Sequence, residues 1–134
     1  MHIVSVGGKY QVGQGHPLMI MAGPCVLEGY EHSLAIGKRA KAICEKLGLP
    51  YVFKASFDKA NRSSVHSFRG PGLKEGLAIL AQIKKDLQVP VVSDIHETIQ
   101  VEPAAEVLDI LQIPAFLCRQ TDLVFQAAKT GKTI

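Results

Sequence analysis

The chain has 134 residues, 47% of them hydrophobic and 20% charged, with a formal net charge of +3. This composition excludes a disordered chain and predicts one globular domain with a single core. The lysines are spread along several predicted helices rather than gathered into one basic stripe, which argues against nucleic acid as a partner.

The sequence also lacks the features of a membrane or secreted protein. No run of about 18 apolar residues exists, and the N-terminal MHIVSVGGKY has neither the charged start nor the apolar centre of a signal peptide. The three cysteines include no CxxC pair, which disfavours a disulfide framework and a self-contained zinc site. We therefore expect a soluble, cytoplasmic protein with reduced thiols and no membrane partner.

A small β-ribbon is predicted at the start of the chain, within residues 1–16. Residues 3–6 and 10–12 are rich in strand-forming side chains and flank Gly7–Gly8, a dipeptide that suits a tight hairpin turn. The ribbon lies outside the repeating pattern that follows it.

Strand-like and helix-like segments then alternate four times over residues 17–134. The first strand, residues 18–22, is a continuous apolar run, as expected of a strand covered on both faces. The later strands are predicted at residues 51–55, 89–93 and 109–113. The first two helices are predicted at about residues 31–47 and 72–87. The third follows residue 97 and ends at about residue 108, and the fourth covers about residues 121–130.

Apolar stripes define the buried faces predicted for the first two helices. The first stripe is Ile36, Ala40, Ile43 and Leu47. The second stripe is Leu73, Leu77, Leu80, Ile83 and Leu87. Cys44 is assigned to the core with them.

Repeated strand–helix alternation predicts an α/β fold with a parallel sheet and right-handed crossovers. A doubly wound sheet would be complete at this size, whereas a (β/α)8 TIM barrel needs about 250 residues. Residues 132–134 look like the start of another strand, which favours the barrel. We therefore expect a parallel (β/α)8 TIM barrel with an N-terminal β-hairpin, of which this chain covers about the first half: the ribbon at 1–16 and four βα units at 17–134.

The stretch from Lys54 to Ser64, KASFDKANRSS, has the composition of a phosphate site. It follows a predicted strand, and in parallel α/β sheets the loops after the carboxyl ends of strands carry the ligands. Lysine supplies a compact cation, arginine a planar fork for phosphate, and asparagine and serine short polar contacts. The alternative is an ordinary solvated loop.

Three further groups of polar residues follow the ends of other predicted strands. Cys25 lies just after the first strand, where a thiolate could bind a divalent metal, although a buried structural cysteine is the alternative. Asp94, His96 and Glu97 follow the third strand and could orient hydroxyls or move protons, with a helix-capping box as the alternative.

The fourth strand carries the last of these groups. Gln112, Arg119 and Gln120 lie near its end, where the arginine could face an anion or be an ordinary surface residue. All four groups fall at or just past the carboxyl ends of successive strands, which is where a parallel barrel gathers its active site. A cationic pocket with one thiol suits phosphorylated, anionic small molecules.

At these residues the chain resembles a known enzyme family. The blocks AGPC, YVFKASFDKANRSSVHSFRGPGL, SDIHE and DILQIPAFLCRQTDL are similar to those of the 3-deoxy-D-manno-octulosonate 8-phosphate synthases, in the same order. The resemblance implies condensation of phosphoenolpyruvate with D-arabinose 5-phosphate in lipopolysaccharide biosynthesis. It also implies a homotetramer of TIM barrels.

The same resemblance implies roles for individual residues. Phosphoenolpyruvate would be held by Lys54, Ser56, Gln112 and Arg119. Arabinose 5-phosphate would be held by Lys59, Asn61 and Asp94, and by Arg62 and Ser63 of a neighbouring subunit. Lys59, Asp94 and His96 are the candidate catalytic residues.

Cys25 matches the cysteine ligand of the metal-dependent branch of that family, which implies a divalent cofactor. Iron, manganese, cobalt, zinc and cadmium all suit such a site. The family's other metal ligands lie in the second half of its barrel, outside this sequence. We expect the isolated 134-residue chain to be inactive, because an unclosed barrel exposes strand edges and lacks most metal ligands.

Two other functions remain open from the sequence. The related synthase that uses erythrose 4-phosphate in aromatic biosynthesis shares the GPC block but carries a KPRT-like block where this chain has KANRSS. A truncated, non-catalytic phosphosugar-binding fragment is the alternative from another class.

Overall fold

A computed structural model describes residues 2–134 as a hairpin followed by a four-stranded parallel sheet with helices between its strands. The hairpin consists of β1 (Val4–Val6) and β2 (Tyr10–Val12). The sheet contains β3 (Ile20–Ala22), β4 (Tyr51–Lys54), β5 (Val91–Asp94) and β6 (Ile110–Gln112), in that order. The helices are α1 (Tyr30–Lys46), α2 (Leu73–Leu87), α3 (Val101–Val107) and α4 (Thr121–Lys129).

The predicted hairpin and the four strand–helix units are confirmed. Gly7 and Gly8 form the hairpin turn with φ angles of 56° and 64°, values that glycine adopts without strain. The predicted fifth strand also begins, because Thr133 pairs in parallel with Ile110 and its carbonyl accepts a 2.9 Å hydrogen bond from the Leu111 amide. The described residues thus form an open parallel sheet, consistent with part of a barrel.

Two details of the first unit differ from the prediction. The strand is shorter than residues 18–22 and is not covered on both faces, since Leu18 is 73% exposed and Met21 is 45% exposed. Within residues 2–134 this strand forms one edge of the sheet and pairs only with β4. An edge strand leaves part of its surface open to solvent.

The stripe predicted for α1 has the wrong phase. Ile43 and Leu47 are exposed, whereas Leu34, Gly37 and the predicted core residue Cys44 are buried. Gly37 explains the shift, because a Cβ at that position would lie 2.6 Å from Leu87 Cδ1. The helix therefore approaches its neighbours most closely at a residue without a side chain.

The stripe predicted for α2 is confirmed, with Leu77, Leu80, Ile83 and Leu87 buried and Leu73 partly buried. Gly76, on the same face, packs directly on Phe57. A Cβ added to Gly76 would lie 2.3 Å from Phe57 Cβ, which is much closer than two carbon atoms can approach.

We therefore expect Gly76→Ala to destabilise the fold by about 2–3 kcal/mol through overpacking, although alanine is the better helix former. Urea unfolding would measure the change. Ala81→Gly, at an exposed position of the same helix, is the matched control and should cost only about 1 kcal/mol. A Gly76→Ala protein as stable as the parent would contradict the packing argument.

Two layers of side chains occupy the face of the sheet turned away from the helices. Near the amino ends of the strands, Val52, Val92 and Ile110 form an apolar cluster that Val6 of the hairpin covers. Side chains two positions apart in a strand share a face. Asp94 and Gln112 therefore lie on the same face, one layer closer to the carboxyl ends, and pair with each other in the β5–β6 register. Lys54 lies on this face of β4, opposite Val92 in the β4–β5 register.

The described residues contain no helix long and apolar enough to cross a membrane.

Candidate functional site

A cleft of about 370 Å³ lies at the carboxyl ends of β5 and β6. The cleft is also bounded by the loop between β4 and α2, residues 55–72, which we call the polar loop. The cleft is lined by Lys59, Ala60, Asn61, Asp94, His96, Gln112, Pro114, Ala115, Phe116 and Leu117. Five of the predicted site residues, from three separate segments of the chain, thus meet at one place.

Asp94 and His96 form a hydrogen-bonded pair at the floor of this cleft. Asp94 is 7% exposed, and its Oδ2 lies 3.0 Å from Nε2 of His96. Burial alone would raise the pKa of Asp94, but the hydrogen bond with His96, assisted by the nearby Ser56 hydroxyl, lowers it to about 2. Asp94 is therefore ionised at neutral pH.

The ionised carboxylate determines the tautomer of the histidine. A carboxylate only accepts hydrogen bonds, so Nε2 of His96 must carry the proton that joins the pair. Nδ1 is then the free acceptor of a neutral ring, or a second donor if the ring is charged. His96 is further held by the bond from its amide to Gln100 Oε1 (2.8 Å) and by a T-shaped contact with the Phe57 ring.

Three buried polar atoms at this end of the sheet have no hydrogen-bond partner among residues 2–134: Ser56 Oγ, Asp94 Oδ1 and His96 Nδ1. The Ser56 hydroxyl lies close enough to influence Asp94 but makes no bond of good geometry with it. Buried polar groups are almost always paired in folded proteins, by protein, water or ligand. Two of these residues line the cleft, so a polar ligand there would supply the missing partners.

The helix-capping alternative for Asp94 and Glu97 is wrong. Asp94 is committed to His96, and Glu97 precedes the short 3₁₀ turn Thr98–Gln100 without making a side-chain cap. The buried carboxylate thus has no structural role at a helix start.

The depressed pKa of Asp94 makes stability depend on pH. Because its folded pKa of about 2 lies below the ordinary value of 3.8, the pair stabilises the fold above about pH 4, and that contribution is lost as pH falls toward 2. We expect a loss on the order of 2 kcal/mol over this range. Urea unfolding between pH 7 and pH 2 would measure it.

Asp94→Asn should remove this part of the pH dependence, whereas Glu106→Gln, at an exposed carboxylate of α3, should retain it. Parallel losses of stability in the parent and in Asp94→Asn would contradict the assignment.

Lys54, Ser56 and Cys25 lie at the same end of the sheet as Asp94. The Ser56 amide donates to the Cys25 carbonyl (3.3 Å), and Val26 forms a parallel bridge with Ser56. Lys54 is partly buried at the end of β4. Gly23 permits the close approach of the two segments, because a Cβ there would lie 2.0 Å from the Lys54 carbonyl oxygen.

Cys25 is exposed, whereas Cys44 is buried, so the alternative of a buried structural role for Cys25 is wrong. Within residues 2–134 no three His, Cys, Asp or Glu side chains are grouped closely enough to hold a metal ion. An accessible thiol at the carboxyl rim fits one ligand of a metal site, and the described residues do not supply a complete set.

Arg119 lies in a neighbouring cleft of about 550 Å³. His96 and Leu117 line both clefts, so the two are adjacent, but Arg119 is exposed and does not line the first. Arg62 and Ser63 are also exposed and lie outside the first cleft.

The sequence reasoning missed the contact that closes the base of the polar loop. Arg69 donates to both carboxylate oxygens of Asp58, at 2.8 and 2.6 Å. The sequence offered one indication of this pair, namely opposite charges near the two ends of the polar loop. Their separation of eleven positions matches no helical spacing, so only the structure reveals the pair.

Comparison with known proteins shows the family to which the chain belongs. All of residues 1–134 match the family described as the DAHP synthetase I family. The chain belongs to this family. The family match confirms the relationship expected from the sequence blocks.

Several curated proteins are closely similar to this chain. A 2-dehydro-3-deoxyphosphooctonate aldolase of Desulfotalea psychrophila is 62% identical over 96% of this chain and 46% of its own length. A protein of the same name from Geobacter sp. (strain M21) is 60% identical over 98% of this chain and 48% of its length. One from Synechococcus sp. is 55% identical over 96% and 45%. The chain spans about half the length of the curated relatives it matches.

Proposed function

We propose that the protein carrying this sequence condenses phosphoenolpyruvate with D-arabinose 5-phosphate and water, releasing 3-deoxy-D-manno-octulosonate 8-phosphate and phosphate. The observation that carries the proposal is the cleft itself, where Lys59, Asn61 and Gln112 surround the Asp94–His96 pair. The names of the relatives support the same substrates over erythrose 4-phosphate, because they describe an octonate product.

In the proposed reaction, C3 of phosphoenolpyruvate attacks the aldehyde carbon of the sugar. Water adds at C2, and phosphate leaves the resulting hemiketal by cleavage of its C–O bond. Both substrates are anions, so the protein must bring two negative charges together and offset their repulsion with cations.

In this proposal, two sets of residues divide the task between the two substrates. Lys54, Ser56, Gln112 and Arg119 would hold phosphoenolpyruvate. Lys59, Asn61 and Asp94 would hold arabinose 5-phosphate, with Arg62 and Ser63 contributed to a neighbouring subunit of a homotetramer. The exposure of Arg62 and Ser63 supports a role outside their own cleft.

The Asp94–His96 pair would serve orientation and proton movement. The carboxylate fixes the proton on Nε2 and can accept a bond from a sugar hydroxyl through its unpartnered Oδ1. Nδ1 of His96 is left without a protein partner and would exchange a proton with a reacting oxygen.

Cys25 would supply one ligand to a divalent metal, whose chemistry when bound is to polarise an oxygen or lower the pKa of water. Iron, manganese, cobalt, zinc and cadmium remain the candidates. The open sheet is, in this proposal, the first half of a (β/α)8 barrel in the cytoplasm, and the product enters lipopolysaccharide biosynthesis.

The test is a condensation assay on the protein as its source encodes it. Phosphoenolpyruvate is mixed with arabinose 5-phosphate or erythrose 4-phosphate, and phosphate release and product mass are measured. We expect the eight-carbon product from the pentose and little turnover of the tetrose. Preference for erythrose 4-phosphate would replace the proposal, and phosphosugar binding without turnover would establish the non-catalytic alternative.

A further inference from the structure

The two ends of the polar loop are tied together at its base. The Lys59 amide donates to the Arg69 carbonyl (2.7 Å), and the Gly72 amide donates to the Phe57 carbonyl (2.9 Å). Gly70 has a φ of 114°, and a Cβ there would lie 2.6 Å from the Phe57 carbonyl oxygen, so the two segments pass close together. The loop therefore leaves and re-enters the fold at one point.

The Asp58–Arg69 ion pair joins the same two segments through side chains. Nε and Nη2 of Arg69 donate to the two carboxylate oxygens, a planar geometry that arginine achieves and lysine does not. The Arg69 and Asp58 side chains are 54% and 21% exposed, so the pair adds little to global stability. Its position is more informative, because Lys59 and Asn61 of the cleft follow Asp58 directly.

The ion pair also determines which cation the Asp58 carboxylate neutralises. Lys59 takes part in none of the ion pairs found within residues 2–134. Asp58, its immediate neighbour in sequence, is occupied at both oxygens by Arg69. The ammonium group of Lys59 thus has no carboxylate partner in the cleft wall and is available to an anion.

We infer that Asp58 and Arg69 are positioning residues: their bidentate pair holds Lys59 and Asn61 against the cleft and keeps the Asp58 carboxylate from neutralising Lys59. The inference rests on the proposed function for its ligand, the phosphosugar anion. Arg69 acts through Lys59 and touches no substrate.

Steady-state kinetics on the protein as encoded would test this role. In Arg69→Ala the loop loses its tie and Asp58 becomes free to pair with Lys59. The KM for arabinose 5-phosphate should then rise about tenfold or more, as expected when a charge-assisted contact is lost. The KM for phosphoenolpyruvate should stay unchanged. Arg69→Lys retains the charge without the planar guanidinium, so its KM for arabinose 5-phosphate should lie between the values of Arg69→Ala and the parent.

The double variant Asp58→Asn/Arg69→Ala separates positioning from general damage. Because the freed carboxylate is removed, its KM for the sugar phosphate should recover part of the way toward the parent value. Glu45→Gln, which breaks the exposed Lys41–Glu45 pair of α1, is the matched control and should behave as the parent. Equal KM values in Arg69→Ala and the parent would overturn the inference, as would equal impairment of the single and double variants.

Amide hydrogen exchange gives a readout that does not need activity. The Lys59 amide is protected by its bond to the Arg69 carbonyl, and we expect it to exchange about tenfold faster in Arg69→Ala. Unchanged exchange would overturn the positioning role. A parent protein without condensation activity would overturn the proposed function and leave this comparison valid.

Discussion

Replacing Asp94 by asparagine should lower kcat for the proposed condensation by about 10²- to 10⁴-fold, the usual contribution of general acid–base catalysis. Neutralising a buried carboxylate that fixes a histidine tautomer gives the upper end of this range, about 10⁴-fold. The asparagine amide can donate to Nε2 of His96, which moves the ring proton to Nδ1. The atom that lacks a partner in the structure would then change from acceptor to donor.

Steady-state kinetics with both substrates would measure this effect, and circular dichroism would confirm that the variant is folded. Glu106→Gln is the control for loss of one negative charge elsewhere in the fold, because Glu106 lies exposed on α3 outside the clefts described. A folded Asp94→Asn protein with parental kcat would remove the Asp94–His96 pair from the mechanism.

Replacing Cys25 by serine should abolish metal-dependent turnover. Thiolate is a strong ligand for the candidate metals, whereas a serine hydroxyl is not deprotonated at neutral pH and binds them weakly. The expected readouts are a large fall in the metal retained per chain after dialysis, measured by mass spectrometry, and loss of activity.

Cys118→Ser is the matched control, since Cys118 is the other exposed cysteine of the described residues. It should retain metal and activity. Full turnover of the parent in the presence of a chelator, or unchanged metal content in Cys25→Ser, would refute the assignment of Cys25 as a ligand.

The parts of the fold that the sequence predicted are those governed by local pattern. The alternation of strands and helices, the α2 stripe and the glycine turn of the hairpin follow from periodicity and turn chemistry. The grouping of Lys59, Asp94 and Gln112 was also predictable, because parallel strands deliver their carboxyl ends to one edge.

The errors arose where a contact depends on residues distant in sequence. The buried face of α1 is centred on Gly37, which packs under Leu87 from another helix, and an apolar stripe cannot reveal a glycine contact. The Asp94–His96 bond, which decided against a capping box, depends on side-chain orientation within a loop. The tie between Asp58 and Arg69 likewise depends on how the loop returns to the fold.

The apolar layer next to Asp94 couples the packing of the hairpin to the position of the Asp94 carboxylate. Val92 lies in that layer and Asp94 in the polar one, so the two are separated by a single pleat repeat of about 7 Å. A bulkier residue at 92 would clash with Val6 of the hairpin. The resulting shift of β5 would also move the Asp94 carboxylate, two residues further along the strand. If the proposed function holds, substitutions of these valines should therefore slow turnover as well as lower stability.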